Sequence, residues 1–263
     1  MSLILAIDVG NTATTTGLFQ LRGPQKYPHP DGIWTVTTSQ LNTAGPFRKF
    51  LRSKIGAARL KHIRGAIVSS VVPPIDRNLT RDIVALIGAE PIFVTHRTPS
   101  PVRIRYGRPA EVGADRVVNA RAAWALHRGA SIVIDFGTAT TFDCVSSRGE
   151  YLGGVIAPGP AISAEALYRR TAKLPMVFLN EPADILGKNT LESIRAGLYH
   201  GYRGLVIEIV RRLKSRLGGR ARVFATGGQA EWILKGVPGI DRHVPHLTLS
   251  GLYHLWTDGR RDS

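Results

Sequence analysis

The chain has 263 residues, 43% hydrophobic and 21% charged, enough to bury an ample core as one large domain or two of roughly 130 residues. No stretch approaches the roughly 18 uninterrupted apolar residues of a bilayer span, and the single cysteine, Cys144, excludes an intramolecular disulfide and any cysteine-cluster zinc site. The net charge of +16 suits either nucleic acid or an anionic small molecule, but the arginines are dispersed and aromatics are sparse, so they read as solvated helix faces and a nucleic-acid partner is not favoured.

In chain order, residues 3–9 read as a buried strand, 12–19 as a second behind a Gly-Asn turn, and 32–38 as a third after the Gly/Pro-rich connection 23–30. Thr43 is placed to cap a helix running to about residue 60, with Pro46 in its first turns. A strand over 65–72, a stop at Pro73-Pro74, a helix over 75–87 and a strand over 91–95 follow. After a basic loop at 97–109, carrying Arg97, Arg103, Arg105 and Arg108, a helix over 114–127 leads to strands at 131–136, 140–146 and 151–156. Helices at 160–171 and 190–217, a strand at 222–225, a Gly227-Gly228 turn, a helix at 230–234 and an apolar segment at 249–256 complete the chain. The second half repeats the plan of the first. Three sequential strands followed by alternating helices and strands imply an α/β fold in which each half forms a mixed sheet flanked by helices, with a cleft between the halves. The boundary falls near 117, giving domains 1–117 and 118–263. The polar tail 258–263 is expected to fray, and the absence of a basic leader ahead of the first apolar run favours a cytoplasmic protein.

The stretch "AIDVGNT" at 6–12 ends an apolar strand on Asp8 and turns at once; "VIDFGTATT" at 133–141 does the same with Asp135. Glycine in such a turn lets backbone N–H groups approach an anion and the neighbouring threonines add hydroxyl donors, so each turn suits phosphates, with the aspartate placed for a bridging cation or water. The plain alternative is a hairpin whose aspartate caps its own turn; two copies in equivalent places favour the phosphate reading. In "EVGADR" at 111–116, Asp115 suits the positive end of a helix dipole with Arg116 as its partner, and spacing alone does not make it catalytic. The glycines of 151–159 open either an anion-binding helix N-terminus or an ordinary turn. Thr190, in "GKNT" at 187–190, is a helix-capping candidate. Neither a G-x-x-x-x-G-K-[ST] phosphate loop nor a G-x-G-x-x-G pattern occurs, and the eight histidines lack zinc-ligand spacing.

"DVGNT" at 8–12, "SSVVP" at 69–73, "GADR" at 113–116, "DFGTATTFD" at 135–143, "YLGGVIAPG" at 151–159, "TAKLP" at 171–175, "GKNT" at 187–190, "ATGG" at 225–228 and "LTLSGL" at 247–252 together closely resemble the type III pantothenate kinase family, in the family's order and nearly end to end. The resemblance implies two tandem ribonuclease-H-like (actin-like ATPase) domains with mixed five-stranded sheets flanked by helices, and a homodimer. It implies transfer of the ATP γ-phosphoryl group to pantothenate, the first step of coenzyme A biosynthesis. Carried over residue by residue, Asp115 is the catalytic proton acceptor; Asp8, Val9, Gly10, Asn11, Thr12, Ala13, Thr14 and Thr15 form the first phosphate turn, with Asp8 also holding Mg²⁺ or another divalent cation. Thr138 contacts ATP in the second turn, and Asp135 binds a monovalent cation, K⁺ or NH₄⁺. Tyr106, Gly113, Ala114, Asp115, Arg116 and Thr190 line the pantothenate pocket. Two alternatives share the fold: a kinase of another small hydroxylated acceptor, and a non-catalytic regulatory or nucleic-acid-associated protein.

Overall fold

The computed structural model describes residues 2–23 and 25–260. The chain divides into two compact units, one built from residues up to Leu126 together with those from Leu247 onward, the other from residues 127–246. The first unit contains β1 (Leu3–Val9), β2 (Ala13–Gln20), β3 (Gly32–Thr37), α1 (Pro46–Ile55), α2 (Ala57–Leu60), β4 (Ile63–Ser70), α3 (Pro73–Ile87), β5 (Ile92–Phe93), β6 (Arg103–Ile104) and α4 (Ala114–Leu126). The second contains β7 (Ser131–Phe136), β8 (Ala139–Val145), β9 (Glu150–Pro158), α5 (Pro160–Arg170), α6 (Thr190–Arg216), β10 (Arg222–Thr226), α7 (Ala230–Leu234) and β11 (Arg242–His243); α8 (Leu247–Asp258) then rejoins the first.

The first sheet runs β3-β2-β1-β4-β5, with β1–β2 and β2–β3 antiparallel and β1–β4 and β4–β5 parallel. Within the second unit the strands run β11-β10-β7-β8-β9 with the same alternation: an antiparallel meander of β7, β8 and β9, then β10 parallel to β7 and β11 parallel to β10. The repeat read from the two Asp-x-Gly stretches is therefore a repeat of topology. Every residue of β1 except Asp8 is buried. Leu3, Leu5, Ile7 and Val9 pack with Phe47, Leu51, Leu79 and Ile83 of α1 and α3, while α8 covers the strand from the other side. A strand covered on both faces reads as a continuous apolar run, which is why β1 carries no alternation. In the second unit Ile132, Ile134, Phe136, Phe142 and Cys144 pack with Ile194, Leu198, Tyr202, Val206 and Val210 of α6; Cys144 is a small buried hydrophobe there.

α8 is buried along its whole length from Leu247 to Trp256. Two strand glycines make room for it: a Cβ on Gly65 would stand 2.3 Å from the Trp256 ring, and one on Gly17 3.1 Å from Leu249 Cδ1. Three of its polar side chains bond to other elements of the first unit. Thr248 Oγ1 donates to Asn119 Oδ1 at 3.0 Å, Ser250 Oγ to Pro28 O at 3.3 Å, and Tyr253 Oη to Gly23 O at 2.9 Å. Arg121 of α4 grips Asp258 at the end of α8 through two bonds, Nε to Oδ2 at 2.6 Å and Nη2 to Oδ1 at 3.0 Å.

Several sequence expectations are corrected. The helix expected from 43 to 60 is two helices, because Gly56 adopts φ +80° and ends α1 through its N–H on Arg52 O. Pro73 and Pro74 do not stop the chain; they begin α3, where a missing N–H costs nothing. The expected loop 97–109 contains the short strand β6. The tail does not fray at Asp258, which Arg121 holds; residues 261–263 lie outside the described residues. Position 117 lies inside α4, and the residues of α4 group with the first unit.

Candidate active site

The first turn follows from hairpin geometry. β1 delivers Asp8 to the end of the sheet, where it is half-buried and stands in register with Thr15 of β2 on one side and Ser69 of β4 on the other. Gly10 N–H then closes the hairpin on Ala13 O at 3.0 Å, leaving Asn11, Thr12 and Ala13 exposed at its tip. Thr38, just after β3, clamps this tip from beneath: its hydroxyl donates to Gly10 O at 2.7 Å and lies 3.0 Å from Thr14 Oγ1, and its N–H donates to Thr12 O at 3.1 Å. Thr14 is thus wholly buried in the clamp, and Thr15 shares a 3.2 Å hydroxyl contact with Thr35. Val9 buries its side chain in the core, so this position offers a ligand only backbone. Thr38 is a positioning residue that the sequence reading missed, since only the β2–β3 pairing brings it to Gly10.

Asp115 is the second residue of α4. Its Oδ1 accepts the Arg116 backbone N–H at 2.8 Å, and a Cβ on Gly113 would stand 2.6 Å from that same oxygen, so the glycine before it keeps the carboxylate's space clear. Burial pushes the Asp115 carboxyl above its ordinary range, against the opposing pull of the Arg116 N–H and positive charge. Val71 connects this turn to the first: its N–H donates to Val9 O at 3.1 Å, and its Cγ1 lies 3.8 Å from the Cβ position of Gly113. Asp8, the glycine turn and Asp115 therefore gather at one edge of the first sheet, beyond the carboxyl ends of β1 and β4. Ala114 and Arg116 are buried beside Asp115, and Tyr106 is 38% exposed. Next to Val71, Ser70 Oγ donates to Asp76 Oδ1 at 2.6 Å, and burial raises the Asp76 carboxyl despite that bond.

The second turn repeats the first. Asp135 is half-buried and stands in register with Thr141 of β8 and Thr226 of β10; Gly137 N–H closes on Ala139 O at 3.1 Å and Thr138 is exposed. Two further glycines press backbone against it. A Cβ on Gly159, at the start of α5, would lie 2.4 Å from both Gly137 O and Thr138 O, and one on Gly227 would lie 2.5 Å from Phe136 N. Gly227 also adopts φ +95°, which side chains disfavour. The Tyr202 hydroxyl of α6 fixes the α5 entrance by donating to Pro158 O at 2.8 Å, with Ser163 Oγ 2.6 Å away. Gly159 of "YLGGVIAPG" and Gly227 of "ATGG" thus wall a turn of their own unit. Thr190 begins α6 without capping it. Asn189 is the cap, its Oδ1 accepting Glu192 N–H at 3.0 Å, while Glu192 Oε2 accepts the N–H of Lys188, one residue before the cap, at 2.8 Å.

Among the described residues no group of three or more His, Cys, Asp or Glu side chains forms a metal cluster. Asp8 and Asp135 each offer a single carboxylate among hydroxyl-bearing neighbours. That donor set fits a magnesium ion that keeps most of its waters and takes the rest of its ligands from phosphates, and it fits a weakly held monovalent cation.

A duplicated meander-plus-crossover arrangement with an acid-glycine hairpin at the end of each first strand is the actin-like ATPase fold. Solved structures agree on the fold: a Baf family protein from Campylobacter jejuni is 16% identical with a TM-score of 0.61, covering 98% of this chain and 99% of that one. The ethanolamine utilization protein EutJ from Carboxydothermus hydrogenoformans is 15% identical with a TM-score of 0.51, covering 97% and 90%. Within that class the chain belongs to the type III pantothenate kinase family, whose model matches residues 4–212. Similar members include type III pantothenate kinases from Koribacter versatilis (strain Ellin345), 42% identical over 97% of this chain and 95% of that protein, and from Moorella thermoacetica (strain ATCC 39073 / JCM 9320), 43% identical over 95% and 97%.

Proposed function

We propose that the chain transfers the γ-phosphoryl group of ATP to the 4′-hydroxyl of pantothenate, giving 4′-phosphopantothenate and ADP, with Asp115 as the proton acceptor. The observation that carries this reading is the Asp115 carboxylate, kept clear by Gly113 and tied through Val71 to the Asp8 turn. The hydroxyl oxygen forms a bond to the γ-phosphorus as the bond from that phosphorus to the β–γ bridging oxygen breaks; ADP leaves, and the hydroxyl proton passes to Asp115. Positioning and charge neutralisation supply most of the rate in such transfers. Gly10, Asn11, Thr12, Ala13 and Thr15 offer N–H and hydroxyl groups to the phosphates, Val9 its backbone, and Thr14 holds the turn; Thr138 offers the same from the second turn. Asp8 would hold Mg²⁺ and Asp135 the K⁺ or NH₄⁺ ion, which when bound neutralise phosphate charge. Arg116 suits the pantothenate carboxylate because a guanidinium pairs bidentately; Tyr106, Gly113 and Ala114 are assigned to acceptor binding with it, and resemblance to the family assigns Thr190 to the same task. Among the described residues no helix is long and apolar enough to cross a membrane. The same reading, with its small soluble substrates, places the reaction in the cytoplasm.

The test is ADP release by the purified protein with Mg-ATP and K⁺, with and without pantothenate, the product identified by mass. Pantothenate-dependent ADP with the matching product is expected, and replacing K⁺ by Na⁺ should depress turnover. No turnover with pantothenate would overturn the reading, and indifference to the ion would remove the role given to Asp135.

The same reading makes the active form a homodimer. Supporting it, the second unit exposes large apolar side chains at Phe178 (84%), Leu186 (71%), Ile185 (63%) and Ile156 (61%), apolar surface that a second copy would cover. Light scattering should give twice the 28.6 kDa chain mass, falling to the single mass in Phe178→Asp/Leu186→Asp; a monomeric parent protein would sink this assignment.

A further inference from the structure

A cavity of about 420 Å³ opens at the far end of the first sheet, lined by Arg52, Ala57, Leu60, Lys61, Ile63, Leu86 and Ile87. Its place in the fold separates it from the site above. β1 and β4 run parallel, with Leu3 beside Ile63 at one end and Asp8 beside Ser69 at the other. Five residue steps along β1, or six along the bulged β4, place the cavity about 17–20 Å from the phosphate turn at a strand rise of about 3.3 Å.

The lining has two parts. Leu60, Ile63, Leu86 and Ile87 belong to the first unit's core or pack against it, and form an apolar floor. Arg52 and Lys61 stand exposed at the rim, and their alkyl stems extend the apolar wall toward their charged heads. No acidic residue occurs between Asp31 and Asp76. Asp31 is engaged by Arg59 at 3.0 Å, and Asp82, though near α1, is buried with its oxygens on the Gly45 and Arg48 backbone N–H groups. The volume is that of a small-molecule pocket, which typically spans about 300–1,000 Å³ with few polar groups on mostly apolar walls. A nucleic-acid backbone would use the cations and leave the apolar floor idle, while a neutral hydrocarbon would do the reverse.

We propose that this groove binds a free amphipathic anion: a short aliphatic chain, seated on Leu60, Ile63, Leu86 and Ile87, with one phosphate or carboxylate head between Arg52 and Lys61. The test titrates octyl phosphate, below its micelle concentration, into full-length protein carrying labelled isoleucine methyls. Saturable shifts at the Ile63 and Ile87 methyls are expected, with octanol and inorganic phosphate each binding at least tenfold more weakly. Arg52→Ser/Lys61→Ser should weaken octyl phosphate at least tenfold while pantothenate turnover and the melting temperature stay unchanged. The proposal is overturned if those two methyls do not shift, if octanol binds as well as octyl phosphate, or if the double variant binds normally. Attachment to phosphatidylglycerol vesicles without any response to octyl phosphate would also overturn it, since the occupant would then be a membrane surface.

Discussion

Asp115→Asn is expected to lower kcat with pantothenate at least about a hundredfold, the usual scale for losing a general base. The change is nearly isosteric. An asparagine oxygen still accepts the Arg116 N–H that Asp115 Oδ1 holds at 2.8 Å, so the start of α4 and the space left by Gly113 are kept and only proton acceptance is lost. Near-normal turnover in a folded variant would sink the assignment. Because burial holds the Asp115 carboxyl above its ordinary range, the acid limb of kcat/KM should lie above the pH of a free aspartate, and residual activity in the variant should lack that limb.

The same burial gives a stability signature of fixed sign. A carboxyl whose folded pKa is raised favours the folded state at low pH, where both states carry the proton; that contribution is lost as pH rises through the folded value. At neutral pH the parent protein therefore bears the cost of a desolvated carboxylate. The asparagine variant should melt higher than the parent at neutral pH, and the gap should close as the solution is acidified toward the unfolded pKa of about 3.9. Melting curves at the two ends of that window read it directly, and a gap that widens with acid would contradict the burial account.

Gly251→Val should destabilise the first unit by at least about 3 kcal/mol, the upper part of the range for overpacking. A Cβ at this position would stand 2.3 Å from Val118 O and 2.6 Å from Val118 Cγ1. The first obstacle is backbone, so the helices must part instead of a side chain turning aside. Total stabilities of about 5–15 kcal/mol leave little room for that loss. Arg121→Ala attacks the same contact electrostatically: it strands the mostly buried Asp258 carboxylate, a change that typically costs about 3–5 kcal/mol. Urea midpoints measure both, and an unshifted midpoint for Gly251→Val would show that α4 and α8 are less closely packed than described. Since α4 begins with Ala114 and Asp115, either change should also lower kcat in whatever fraction remains folded.

The strands were legible because burial on one or two faces writes itself as alternation or as an apolar run, and the two Asp-x-Gly turns marked the repeat in the residues themselves. α8 was not legible as a helix of the first unit. Buried on all sides, "LTLSGLYHLW" shows no polar stripe, and its partners Gly17, Gly65, Val118 and Arg121 lie far off in sequence. The break at Gly56 looked like an ordinary helical glycine, and Pro73-Pro74 read as a stop because prolines mark both ends of helices. At the site, the positions of Asp8, Asp115 and Asp135 were readable, but the role proposed for Asp115 came from family resemblance, since an aspartate in a first helical turn has a sufficient reason in the helix dipole. The Thr38 clamp had no local signal at all. It exists only once β3 has paired with β2.

The return of α8 to the first unit sets an order of events during synthesis on the ribosome. The segment that closes the first core is made after the whole of residues 127–246, a delay of roughly 6 to 24 s at typical elongation rates of about 5–20 residues per second. Throughout that interval β1 has an uncovered face and Asn119 and Arg121 lack their α8 partners, and by its end the later unit holds every strand from β7 to β11. The half of the chain made first is thus the half finished last, and a premature stop codon within the final turns of α8 would strike the amino-terminal core.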